Sequence, residues 1–248
     1  MISSFFSFIL YQPLYNGLIF LMDVLPFVDA GIAVILFTII IKLILFPLSK
    51  TAVTTQFRMR QLAPKLEEIK KEHKDDKQEQ AKKTMELYRE NGVNPFSSIL
   101  LIFIQLPIIF ALYYVFLKGG LPDINMDLLY SFVPAPENVN TMFLGTFNII
   151  ESSWILALAA AVTNFFQVRF SVPKYVSKKK KGDGPSFKDD LAKSMNVQMR
   201  YIFPLVVFFI AGSLSGAIAL YWTTSNMFMI GQELVIRKTV KSKYKDDE

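Results

Sequence analysis

The sequence predicts an all-α membrane protein: a five-transmembrane-helix core, a cytoplasmic helical hairpin and an N-terminal interfacial helix. Three observations predict it. First, 52% of the 248 residues are hydrophobic and the mean hydropathy is +0.34. Second, the apolar residues are gathered into long runs, and a run of about 20 can cross a bilayer because a helix satisfies its own backbone polar groups. Third, the basic residues are segregated. Residues 1–41 contain no Lys or Arg, and of the 27 basic residues all but Lys42 and Lys118 fall in three blocks, 11 in 50–89, 9 in 169–200 and 5 in 237–245. Lys and Arg concentrate on the cytoplasmic side. Five crossings, with the amino end outside and the carboxyl end inside, put all three blocks there.

Residues 1–30 lack a basic leader and a small-residue cleavage pattern, so they do not read as a cleavable signal. Pro13 suits a first helical turn, and Leu14, Leu18, Leu21, Met22 and Leu25 follow at helical spacing with Asn16 and Asp23 off that stripe. This predicts a helix lying along the outer interface; a sixth span is the alternative. The first core span is 31–49, GIAVILFTIIIKLILFPLS, with Pro47 bending its end. Residues 50–93 carry Phe57, Leu62, Leu66 and Ile69, then Ala81, Met85 and Tyr88, at helical intervals, with a turn at Lys74-Asp75-Asp76-Lys77 and a stop at Asn91-Gly92. That is the hairpin, and its opposite charges at close spacing suit exposed helices.

The second span is 94–118 and contains Gln105 and Pro107. Residues 119–151 hold three prolines and the acids Asp123, Asp127, Glu137 and Glu151, the pattern of an outside loop with partial structure. The third span is 152–169, followed by a basic loop, 170–200. From Tyr201 to Gln232 there are 32 residues without a formal charge, more than one span needs. A single crossing would separate the last two basic blocks. Two crossings, 201–214 and 215–235 with a turn at Gly212-Ser213-Leu214-Ser215-Gly216, keep both inside, with 236–248 as a basic tail. Spans this short suit a locally thinned bilayer.

Several function classes have no support. There is no cysteine, so neither disulfides nor thiolate chemistry. The single histidine, His73, sits in Lys71-Glu72-His73-Lys74 and reads as a solvated helix face. No phosphate-binding glycine loop occurs, the spans contain no paired carboxylates or metal-ligand cluster, and no cofactor is expected.

The polar residues inside the spans gather toward the cytoplasmic half. Thr38 and Lys42 share a helix face. Thr163, Asn164 and Gln167 lie near the inner end of the third span, and Tyr221, Trp222, Ser225 and Asn226 lie on the fifth. A bundle commonly uses single polar residues for interhelical hydrogen bonds, which is a sufficient account of Gln105, Thr163, Tyr221 and Ser225 taken one at a time. Lys42 is the expensive residue. One reading has it snorkelling to the inner surface; the other has it in a water-filled pocket open to the cytoplasm. No acid inside the spans lies at a matching depth, and Glu233 sits nearer the inner mouth, which favours water.

The segments GIAVILFTIIIKLILFPLS and NGVNPFSSILLIFIQLPIIFALYYVF, separated by a charged hairpin, and LYWTTSNMFMIGQELVIRK near the carboxyl end together resemble the YidC-type membrane protein insertases. The motifs are Asn94-Pro95-Phe96, Gln105-Leu106-Pro107, Leu220-Tyr221-Trp222 and Ser225-Asn226, and the resemblance covers about residues 13–240. It implies a hydrophilic groove that is open to cytoplasm and lipid and closed to the outside, in a multi-pass protein of the bacterial plasma membrane. Its lining would be Lys42, Thr38, Gln105, Asn164, Gln167, Tyr221, Trp222, Ser225 and Asn226. Lys42 stands where the family usually carries an arginine, a departure that gives up the guanidinium fork.

The resemblance implies a non-enzymatic insertase and chaperone with nascent membrane proteins as substrates and the lipid bilayer as partner. A Sec-type translocon and the ribosome are candidate partners, without a residue that singles either out, and a monomer suffices. The alternative function is a small transporter or channel with Lys42 as its intramembrane anion site.

Overall fold

In the computed structural model of the chain the described residues are 6–74, 76–94, 107–116, 121, 123–171 and 193–245, without the side chains of Arg60 and residues 240–245. The first part of the expected second span, including Gln105, and residues 172–192 of the basic loop lie outside them. The helices are α1 (Gln12–Val24), preceded by a π-helical turn at Ser7–Tyr11, α2 (Ala30–Ile44), α3 (Phe46–Gln61), α4 (Ala63–Glu72) and α5 (Lys77–Glu90). They continue with α6 (Pro107–Phe116) and α7 (Trp154–Ser171), then α8 (Lys193–Ser213), which contains a π-helical turn at Gln198–Ile202, and α9 (Gly216–Lys245). A two-stranded antiparallel pair, β1 (Met142–Phe143) and β2 (Phe147–Asn148), is a small addition to the expected all-helical fold.

The chain divides into two compact units. The first comprises residues up to Leu43 together with Ile108–Gly231, and the second comprises Ile44–Pro107 together with Gln232–Glu248. In the first unit, α7 and α8 run antiparallel. Trp154 meets Phe208 with ring centroids 5.3 Å apart, and Phe165 meets Tyr201 at 6.1 Å. Small residues let the backbones close: Ala211 is fully buried, and a Cβ on Gly212 would enter the Trp154 ring. Such small residues are how helices pack where lipid removes the hydrophobic drive between them.

The start of α9 is tied to the loop before α7, since Gly216 N–H donates to Glu151 O at 2.7 Å and Ala217 N–H to Ile149 O at 2.9 Å. The start of α2 is tied to the same loop by Ala30 N–H to Asn140 O, 2.8 Å. Helices α2, α7 and α9 therefore begin at one end of this unit, and α8 ends there. The loop also holds α1. Asn16 Oδ1 accepts from Tyr130 N–H at 2.7 Å, its Nδ2 donates to Leu128 O at 2.8 Å, and the Tyr15 hydroxyl accepts from Asn125 N–H at 2.9 Å. The buried face of α1 is Tyr15, Asn16, Leu18, Ile19 and Met22, so it is turned toward Asn16, which the hydrophobic stripe had left outside.

In the second unit the first helix begins at Phe46, with Pro47 in its opening turn where a missing N–H does no harm. The chain turns again at Leu62, so the charged segment contains three helices, the last two in contact. Gln80 Nε2 donates to Lys70 O across their connection at 3.3 Å, and Asp76 caps α5 by accepting from Gln78 and Glu79 N–H. Helix α9 runs on past the expected boundary at 235. Its Gln232 donates to Ser49 Oγ at 2.6 Å, and Glu233 Oε1 accepts from Arg237 Nε at 3.0 Å and Nη2 at 2.9 Å.

Candidate functional site

The first unit buries a small set of polar side chains among apolar ones. On α2, Thr38 is buried and returns its hydroxyl to Val34 O at 2.7 Å, a local bond that leaves the helix face intact. One turn on, Lys42 is only 8% exposed. A buried ammonium requires hydrogen-bonding company, from protein or water.

On α7, Thr163 returns its hydroxyl to Ala159 O and Ala160 O, and Asn164 is 8% exposed. Helix α9 reaches across: Asn226 Nδ2 donates to Ala160 O at 3.3 Å and to Thr163 Oγ1 at 3.4 Å. With Leu156 against Gly216 at the other end of the pair, α7 and α9 run in the same direction. Asn164 Oδ1 is buried and has no hydrogen-bond partner. An unsatisfied buried carboxamide oxygen costs about 1–3 kcal/mol, which makes it a poor structural device and a good receptor for a donor from outside.

The other expected residues differ in burial. Tyr221 and Ser225 are buried on α9, while Trp222 is half-buried. Gln167 is half-buried and bonds Ser171 Oγ along its own helix at 3.1 Å. Asn226 and Thr163 meet directly. Gln105 lies outside the described residues.

Sequence reasoning passed over several buried polar residues, Arg200, Asp29 and Gln232 among them. Arg200, in the π-helical turn of α8, is buried; it had been counted only as a member of a basic loop. Asp29 is buried between α1 and α2 and accepts from Ile32 N–H at 2.9 Å and Leu144 N–H at 3.1 Å. An acid immediately before an apolar helical run is a cap signal, which would have found the first bond. Nothing in the sequence pointed to the second. Gln232 was read only as the end of an uncharged stretch.

Among the described residues two helices are long and apolar enough to cross a membrane, α7 and α8, and α2 with the first part of α3 makes a third if that broken pair is one span. The model of the 60Kd inner membrane protein family matches residues 21–244. A Clostridium tetani protein named membrane protein insertase YidC is 30% identical over 213 residues, covering 86% of this chain and 84% of the relative. One of the same name from Oceanobacillus iheyensis is 28% identical over 218 residues, covering 86% and 76%. A third, from Francisella tularensis subsp. novicida, is 27% identical over 215 residues, and the match spans only 34% of that longer relative. Apolar helices and these relatives agree on a helical protein of a bacterial membrane. Its match runs through almost the whole sequence, and the chain belongs to the 60Kd inner membrane protein family, the family of the YidC-type insertases.

Proposed function

We propose that this chain inserts newly made membrane proteins into the bilayer and helps them fold, by offering polar groups to a substrate segment that would otherwise have to cross hydrocarbon unaided. The observation that carries this reading is the buried, partnerless Asn164 Oδ1 on the helix that Asn226 also engages. A peptide group taken from water into hydrocarbon without a partner costs several kcal/mol. Donors and acceptors on α2, α7 and α9, namely Thr38, Lys42, Asn164, Ser225 and Asn226, shorten the unassisted path. Lys42 favours acidic tails, because a charge pair is worth more there than in bulk water. The substrate's apolar helix leaves sideways into lipid.

No covalent step or nucleotide enters this scheme, and the insertase family is not a catalytic enzyme class. Five spans, at 31–49, 94–118, 152–169, 201–214 and 215–235, complete the proposed architecture, with the amino end outside and the tail in the cytoplasm. The alternating directions of α7, α8 and α9 support that order. The charged helices α4 and α5 would meet the substrate first. Nascent membrane proteins and the bilayer are the partners; the ribosome and a Sec-type translocon would engage through the basic blocks.

Purified protein in liposomes, given a single-span substrate with a short acidic tail, tests the reading. The tail becomes protected from added protease only in vesicles that contain the protein. A tail as accessible as in empty liposomes defeats it. Lys42→Arg retains insertion and Lys42→Glu depresses it for acidic tails; equal insertion by both and by Lys42→Ala reduces Lys42 to a snorkelling residue.

A further inference from the structure

The β1–β2 hairpin closes through a tight turn that a leucine should not occupy. Thr146 N–H donates to Phe143 O at 3.1 Å, and the two central residues, Leu144 and Gly145, have φ of 52° and 68°. Both signs are positive, the pattern of a type I′ turn, which favours Asn, Asp or Gly at its first central position. A bulky residue there is an outlier, and an outlier is a reason to ask about function. Leu144 gains nothing from packing, since it is 66% exposed. Met142 beside it is 40% exposed, and Phe27, two residues before Asp29, is 82% exposed.

The height of this apolar tip is set by Asp29. One carboxylate oxygen caps the first turn of α2 through Ile32 N–H, and the other holds Leu144 N–H. Phe143 lies where a Cβ on Gly31 would be. The hairpin is thus level with the first turn of an apolar helix rather than standing above it. From 138 to 150 the chain carries no charge. Half-exposed Trp154 opens α7 at the same end of the unit, and indoles favour the membrane–water boundary.

We propose that the β1–β2 hairpin is a membrane anchor, with Leu144 and Met142 inserted into the interfacial layer of the bilayer and exposed Phe27, in the turn before α2, inserted as well. A lipid surface is the occupant that suits a charge-free, apolar tip held at this depth. The inference rests on the reading of α2 and α7 as spans.

The chain has no cysteine, so single cysteines can carry a nitroxide without background. The full-length protein, labelled at Leu144→Cys or, in case that turn tolerates no change, at Met142→Cys, is reconstituted in phosphatidylcholine–phosphatidylglycerol vesicles. Collision with oxygen is compared with collision with a water-soluble nickel chelate. Glu137→Cys on the exposed loop is the aqueous reference, and Leu158→Cys on the exposed face of α7 is the lipid reference. The expected result is an oxygen-to-nickel ratio at 144 and 142 several-fold above that at 137. A ratio equal to that at 137 overturns the proposal, and so does shielding from both reagents, which would mean a covering protein. An aqueous signal at 158 defeats the spanning reading separately, whatever 144 reports.

Discussion

The α7–α8 pair and the α4–α5 pair are both two helices in contact, and they are built on opposite plans. In α7–α8 the contact has Gly212 seated against the Trp154 ring and an aromatic pair toward each end. In α4 and α5 no residue is buried. What holds α5 is local: the Asp76 cap, Lys83 Nζ against Glu86 Oε2 at 2.9 Å and Lys82 against Glu79 at 3.7 Å. Where lipid is the solvent, backbones must approach closely because apolar surface alone brings no advantage. Where water is the solvent, caps and side-chain pairs contribute tenths of a kcal/mol to about 1 kcal/mol each and leave the surface free.

The comparison breaks most readily at Gly212. Gly212→Leu drives a side chain into the Trp154 ring, and overpacking of this kind costs about 3 kcal/mol. Ala81→Leu at an exposed position of α5 costs under about 0.5 kcal/mol. Thermal unfolding in detergent measures both, and Trp154→Ala should recover part of the Gly212→Leu loss. Similar losses at 212 and 81 would mean that the α7–α8 contact is no tighter than the surface.

A second test separates stability from function within the first unit. Asn164→Leu removes an acceptor that has no partner, so unfolding should be unchanged or delayed, while insertion of an acidic-tailed substrate falls. Asn226→Leu removes bonds to Ala160 O and Thr163 Oγ1 and should cost about 1 kcal/mol. Loss of stability at 164 as large as at 226 would make Asn164 an ordinary packing residue.

These contrasts also mark what could be read in advance. The helix at α7 and the break at Leu214-Ser215 were legible, because hydropathy and a Gly-Ser cluster act within a few residues. Lys42, Thr38 and Asn164 stood out because polar groups in apolar runs are rare. The continuation of α9 to Lys245 was not legible from charge, since a basic segment such as Arg237-Lys238 prefers a helix as readily as a tail. Asn16 was set aside as polar, yet it is buried because residues more than a hundred positions away supply its partners. The same distance hid the Asp29–Leu144 bond. Spacing along a helix reports which residues share a face; it does not report what arrives against that face.

The smallest expected effect lies on α5 and depends on pH. The hydrogen bond from Lys83, with the nearby charges of Lys83 and Lys82, holds the Glu86 carboxyl below its usual range against a smaller opposing loss of solvation. The same hydrogen bond raises Lys83. A depressed carboxyl stabilises the folded helix above the unfolded value and loses that contribution as pH falls through the depressed one; a raised lysine loses its share only as pH rises through the raised value. The pair is therefore complete across neutral pH and fails at both extremes. Because both groups are exposed, salt should shrink the shift. Carboxyl carbon NMR of Glu86 in the full-length protein should show a midpoint that moves up in high salt and in Lys83→Ala, with amide exchange of α5 quickening below it. Exchange in α7, which like α8 carries no carboxyl group, should stay unchanged over the same range. A parallel response in α7 would mean that the two pairs share one cooperative unit and that their different construction has no consequence for how they open.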